Sequence, residues 1–262
     1  MSRQVPVSVY LSPSQDVGRR HPPLAGRQMA GRIVIATQSL VSPGKSATLR
    51  LERLARGELL QPATNTWTNR HSLLFAATAS HLGNVARPRL LWFGCSTRQE
   101  VFTLTHYLPR AQINAVDINP ACIARARRNA RRRSDWAAIN FACASRPDPA
   151  RKACYDAILC LSVLRHGRLE AKLPESCDNI MPFERFAATI NQLDHALRPG
   201  GLLVLWGCHF RFLDTVVARR YRVLRVPAVR PQAAPFYGPD DSRPTARSYS
   251  DFLFQKLGET SD

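Results

Sequence analysis

Arg89-Leu90-Leu91-Trp92-Phe93-Gly94-Cys95-Ser96-Thr97 runs from an apolar stretch directly into a glycine. Leu90 to Phe93 carry no polar side chain, which suits a short strand buried on both faces. Gly94 ends it, and glycine permits a tight turn and a close approach by a ligand. The same pattern returns downstream. Glu100 to Leu108 reads as a helix, and Ile113 to Val116 as a second strand ending at Asp117. Pro120 to Arg132 reads as a helix with proline in its first turn, where helices accept it. Ile139 to Ala142 and the nearly all-apolar Tyr155 to Leu161 are the third and fourth strands. Phe183 to Leu197 is a helix stopped by Pro199-Gly200-Gly201, and Leu202 to Trp206 is the fifth strand. Tyr221 to Val226 and Ser250 to Lys256 complete the set, separated by the proline-rich stretch from Pro227 to Pro244. Continuous apolar strands alternating with helices predict an α/β fold. The expected form is a doubly wound, mostly parallel, seven-stranded sheet covered on both faces.

Upstream the pattern weakens. Leu49, Leu51, Leu54 and Leu59, then Leu73, Leu74, Ala77 and Leu82, give partial helical spacing, so 46–60 and 69–82 read as helices. Residues 46–84 are expected to form a helical N-terminal lid on a domain at 85–262. Residues 1–45 hold a single acid, Asp16, with arginine, proline, serine and glycine in no clear period. A disordered basic tail is expected there, with an organellar transit peptide as the alternative. Pro43-Gly44-Lys45-Ser46 is not a P-loop, because Ser39 stands where that motif needs its first glycine.

Composition narrows the classes. The longest apolar runs are far too short to cross a bilayer, and no secretory signal opens the chain. The seven cysteines are odd in number and form no C-x-x-C pair, which speaks against a disulfide framework or a zinc ribbon. A reducing, cytoplasmic setting is expected. The net charge of +18 favours polyanions or acidic surfaces. However, 33 of the 37 basic residues are arginines spread along the chain, without interleaved aromatics. Nucleic-acid binding is therefore not the favoured reading, and the run from Arg125 to Arg133 is read first as a solvated helix face.

In an open parallel sheet a ligand binds outside the carboxyl ends of the strands. A dinucleotide loop would carry glycine at 96 and 99, where Ser96 and Gln99 stand. Asp117, twenty-three residues after Gly94, is placed to accept hydrogen bonds from a ribose diol, which NAD and S-adenosylmethionine both carry. The motifs around it resemble the class I S-adenosylmethionine-dependent methyltransferases. Gly94-Cys95-Ser96-Thr97-Arg98-Gln99-Glu100 is similar to the loop G/A-C-S-T-G-E-E of the chemotaxis-receptor methyltransferases and their relatives. Thr66-Trp67-Thr68-Asn69-Arg70 resembles their T-x-F-F-R, Asp117-Ile118-Asn119 their D-I-D/N, and Tyr155 to Cys160 their F-D-x-I-x-C. Leu197 to Gly201 resembles their L-x-P-G-G. Together these cover about residues 64–207. Two departures stand out. Arg98 replaces the second loop glycine, and the segment between Arg222 and Ser250 is too short for a receptor-docking sheet.

The resemblance implies S-adenosylmethionine as cofactor, held by Thr66, Arg70, Gly94, Cys95, Ser96, Thr97, Glu100, Asp117, Ile118, Ala144, Ser145 and Leu161. Arg70 is expected on the cofactor carboxylate, since a guanidinium matches it with two parallel bonds. Ala144 and Ser145 are expected at the adenine edge. His166 and His209, after the fourth and fifth strands, are the candidate bases. His195, at a helix C-terminus, reads as structural, and no metal is expected. The predicted activity is methyl transfer to an oxygen or nitrogen of a small molecule or glycan. An RNA methyltransferase and a non-catalytic scaffold on the same fold are the alternatives. Against RNA, Leu161-Ser162-Val163-Leu164 stands where an N/D-P-P-Y/F signature would lie.

Overall fold

Each apolar run identified above becomes one strand of a single sheet. The computed structural model describes residues 51, 58–62, 70–97, 99–132, 138–232, 236–244 and 249–258. Helix α1 spans Ser72–His81, followed by β1 (Arg89–Phe93), α2 (Gln99–Tyr107), β2 (Gln112–Asp117) and α3 (Pro120–Ala130). Then come β3 (Ile139–Cys143), β4 (Tyr155–Leu161), α4 (Gly167–Lys172), α5 (Phe183–Ala196) and β5 (Leu197–Trp206). The chain closes with β6 (Tyr221–Leu224) and β7 (Leu253–Lys256). The helix expected over 46–60 lies largely outside the described residues, as do Thr66 and Arg98.

The strand order is β3-β2-β1-β4-β5-β7-β6. The first five are parallel, and β7 runs antiparallel to both β5 and β6. This is the Rossmann-like, doubly wound architecture that the alternating pattern implies. The order reverses between β1 and β4, so right-handed crossovers carry α2 and α3 to one face and α5 to the other. All seven residues of β4 are buried, as are four of the five in β1. Hydrophobic burial at the sheet centre therefore dominates the core. Edge strand β3 alternates, with Asn140 and Cys143 exposed.

The structure differs from expectation at Pro199-Gly200-Gly201. These residues do not precede the strand but form a bulge inside it. Tyr155 pairs with Leu197 and Ala157 with Leu202, so the chain between those partners loops out. Gly200 has φ +75°, a left-handed conformation that glycine adopts without strain. Helix α4 escaped the sequence reading, because six residues are too few for a helical period to register. The proline-rich stretch before β7 is tied down rather than loose. The Asp241 carboxylate accepts from the Phe183 N–H at 2.5 Å, and the Tyr237 hydroxyl donates to the Pro174 carbonyl at 3.0 Å. Among the described residues no helix is long and apolar enough to cross a membrane.

Candidate functional site

Strands β1, β2 and β4 end side by side at the carboxyl edge, next to the reversal of strand order. That is where an open α/β sheet presents a crevice. A cleft of about 780 Å³, open solvent included, lies there. Its walls are Phe93 to Ser96 after β1, Asp117 to Asn119 after β2, Ala144 and Ser145 after β3, and Leu161 to Val163 after β4. Arg70, Glu100 and the segment Glu58 to Pro62 close the remaining side.

Local chemistry explains this convergence. Gly94 has φ +76°, and a Cβ on it would lie 2.2 Å from Val163 Cγ2. Only glycine lets the turns after β1 and β4 approach so closely. The Gly94 and Cys95 N–H groups both donate to the Val116 carbonyl at 2.9 Å, which seals the turn to β2. Ser96 and Ser162 hold positive φ of 47° and 59°. Such backbone conformations cost energy and tend to collect at ligand sites. Asp117 fixes the loop from below. Its Oδ2 accepts from the Ser96 N–H at 2.7 Å and its Oδ1 from the Asn119 N–H at 2.8 Å. Each oxygen keeps a lone pair for a further donor. Burial raises the Asp117 pKa, opposed by these two N–H bonds. The Asn119 side chain in turn accepts from the Ala121 N–H at 3.0 Å and caps α3.

At the other end Arg70 enters the cleft. Its Nη2 donates to Ser162 Oγ at 3.2 Å, and its Nη1 lies 3.9 Å from Glu100 Oε1. Behind it His71 Nε2 lies 4.0 Å from the same Glu100 oxygen. Both atoms are buried and make no hydrogen bond among the described residues. Burial raises the Glu100 pKa to about 7, against the pull of Arg70. Burial, helped by Arg70, lowers the His71 pKa to about 3. Near neutral pH His71 is therefore uncharged and Glu100 is divided between its two forms. Burial also pushes the Cys95 thiol far above its ordinary range, so it contributes shape and no nucleophile.

Of the expected cofactor residues, Arg70, Gly94, Cys95, Ser96, Glu100, Asp117, Ile118, Ala144, Ser145 and Leu161 all line this one cleft. Thr97 is half-buried and is not among its lining residues, and Thr66 lies outside the described residues. The two candidate bases do not reach it. His209 is completely buried, and its Nε2 accepts from the His166 N–H at 2.8 Å. His166 Nδ1 accepts from the Arg168 N–H at 3.2 Å and caps α4. Both histidines hold the turn after β4. Sequence reasoning passed over Phe93, Asn119, Ser162, Val163 and the Glu58–Pro62 segment. Ser162 and Val163 had a readable signal, since they directly follow the fourth strand. The Glu58–Pro62 segment had none.

Residues 91–203 match a family model described as a methyltransferase domain. No curated protein matches the chain. Among solved structures, the plantazolicin methyltransferase BpumL, solved with SAH, is 18% identical with a TM-score of 0.35, over 64% of this chain and 55% of that one. The CcbJ methyltransferase from Streptomyces caelestis is 18% identical with a TM-score of 0.38, over 50% and 47%. The [4+2]-cyclase SpnF is 22% identical with a TM-score of 0.38, over 61% and 56%. At these scores the likeness is distant. The chain spans about half the length of the first solved structures it matches. The matching family model is that of the general domain, not of the chemotaxis-receptor branch. It begins in β1 and ends in β5, so it takes in all five parallel strands together with the loops that build the cleft. Over that segment the chain is similar to a methyltransferase domain, a kind of domain whose usual cofactor is S-adenosylmethionine.

Proposed function

We propose that the protein transfers a methyl group from S-adenosylmethionine to a nitrogen or oxygen of a small molecule or glycan. One observation carries this reading. A single cleft at the carboxyl edge collects a half-buried carboxylate held by two N–H groups, a half-buried guanidinium and a buried carboxyl with an oxygen that makes no hydrogen bond among the described residues. These groups suit the three polar parts of the cofactor. Asp117 accepts from the ribose diol, Arg70 binds the carboxylate, and Glu100 faces the ammonium. Ile118, Ala144 and Ser145 bound the adenine. The bound cofactor supplies a methyl group on a sulfonium, ready for direct displacement.

The chain's own part is alignment and exclusion of water. Leu161, Ser162 and Val163 bound the cleft beyond β4, where an acceptor must approach. The cleft lining contains no histidine among the described residues. The acceptor that fits best therefore brings its own lone pair, as a neutral amine does. A hydroxyl would need a base, and the carboxyl groups of the described lining are Glu58, Glu100 and Asp117. Chemotaxis-type carboxyl methylation is not favoured, because the segment between Arg222 and Ser250 is short.

A labelled-methyl transfer screen tests this, offering amines, phenols, glycans and RNA in parallel. Label in low-mass amine or hydroxyl products is the expected result. Label confined to RNA would shift the reading to an RNA methyltransferase. Cofactor binding without transfer to any fraction would favour a scaffold.

A further inference from the structure

The end of the sheet opposite the cleft carries a separate signal. In a parallel sheet every strand begins at the same edge. Here basic residues stand at the beginning of each. Arg87 and Arg89 lead into β1, Arg110 precedes β2, and Arg131 and Arg132 follow α3 on the way to β3. Arg151 and Lys152 precede β4, Arg198 sits in the β5 bulge, and Arg219 and Arg220 precede β6. Described acids at this edge are few and already engaged. Asp148 pairs with Arg151 at 3.6 Å, Asp156 with Arg198 at 2.6 Å, and Asp194 with Arg220 and Lys256. Arg87, Arg110, Arg131, Arg132 and Lys152 are exposed and make no ion pair among the described residues. By contrast, Glu100, Asp117, Glu170, Asp214 and Asp251 all lie towards the carboxyl edge. Cations also stand towards the carboxyl edge, among them Arg165, Arg168, Lys172, Arg211, Arg225 and Arg230, but there the acids offset them, so the excess of positive charge falls at the amino edge.

We propose that this amino edge docks the phosphodiester backbone of a single-stranded nucleic acid, with RNA as the occupant. Strands lie about 4.8 Å apart, so the starts of β3, β2, β1, β4 and β5 form a row about 19 Å long. Along that row a cation stands at or near the start of every strand. Most of them are arginines, whose planar fork binds phosphate oxygens in pairs. A groove between the starts of β1, β2 and β3 is lined by Arg87, Arg110, Asn114 and Asn140, which adds amide groups between the cations. A membrane surface fits less well, because lasting attachment needs apolar insertion beside the basic groups. The exposed Val216 and Leu257 lie at the β6–β7 end, and among the described residues no large exposed apolar side chain stands with the cations from β3 to β4. This inference does not depend on which acceptor is methylated. The edge lies opposite the cleft, so it serves to tether the protein rather than to present a base for methylation.

The test uses the full chain and a labelled 20-nucleotide single-stranded RNA, read by fluorescence anisotropy at several salt concentrations. Four phosphate contacts on a single strand give a log–log salt slope of about −2.8, on the order of 50-fold in affinity between about 50 and 200 mM salt. Substituting Arg87→Gln, Arg110→Gln, Arg131→Gln and Arg132→Gln together removes that increment, with thermal unfolding unchanged. A control with Arg168→Gln, Lys172→Gln, Arg225→Gln and Arg230→Gln makes the same change in net charge and stays within about threefold of wild type. DNA of the same sequence binding equally well would overturn RNA as the specific occupant. Equal losses in the two variants, or wild-type binding only to phosphatidylserine vesicles, would overturn the proposal.

Discussion

Replacing Glu100 with glutamine makes stability depend on pH differently, with a sign fixed by burial. Glu100 Oε1 is buried, makes no hydrogen bond among the described residues, and lies 3.9 Å from Arg70 Nη1 and 4.0 Å from His71 Nε2. Its pKa rises from 4.5 to about 7, mainly by burial. The native protein thus holds this proton more tightly than the unfolded chain. The associated stability is fully present below pH 4.5 and is lost as pH rises through about 7. The shift corresponds to about 3 kcal/mol. Glutamine has the shape of the protonated form and never ionises. Glu100→Gln should therefore gain about 2 to 3 kcal/mol relative to wild type on going from pH 5 to pH 8.5. Any fixed cost of burying the amide is the same at both pH values and cancels, as does the titration of His71. Urea unfolding followed by tryptophan fluorescence measures this difference through the shift in midpoint. A stability difference between variant and wild type that is equal at both pH values would refute the reasoning.

Three further outcomes follow from the same geometry. Asp117→Asn keeps one of the two N–H bonds at most and loses the charge, so affinity for S-adenosylhomocysteine should drop about 10- to 100-fold in calorimetry, with the fold retained. Gly94→Ala forces a Cβ to within 2.2 Å of Val163 Cγ2 at φ +76°, and should destabilise by about 2 to 4 kcal/mol in chemical denaturation. Adding Val163→Ala should recover only part of that loss, since the backbone strain remains; full recovery would show the clash to be the whole effect. His209→Ala removes a completely buried ring and the acceptor for the His166 N–H. It should cost about 2 to 4 kcal/mol of stability while leaving cofactor affinity within about threefold, which calorimetry on the folded variant would check.

The sheet was readable because burial on both faces leaves strands such as Tyr155–Leu161 with a single charged residue, Asp156, near the start. The helix α3 start was readable from Asn119-Pro120, where cap and proline coincide. The β5 boundary misled for a physical reason. Pro199-Gly200-Gly201 reads locally as a helix stop, and only pairing with β4 reveals it as a bulge within a strand. At the site, the residues named in advance were those on turns fixed by local chemistry, such as Gly94 and Asp117. The candidate bases His166 and His209 do not line the cleft, and their sequence position, just after a strand, does not tell whether a ring faces the cleft or the interior. The electrostatics of Glu100 and His71 were equally hidden, since burial from α1, α2 and β5 is set by tertiary packing. Arg98, the clearest departure within the loop, lies outside the described residues.

The central claim is that the carboxyl-edge cleft holds the cofactor. Calorimetric titration of the full chain with S-adenosylhomocysteine tests it most directly, run beside Asp117→Asn and Arg70→Gln. The account predicts one site per chain with micromolar affinity, weakened in both variants. No heat of binding at millimolar ligand, or unchanged affinity in both variants, would contradict it.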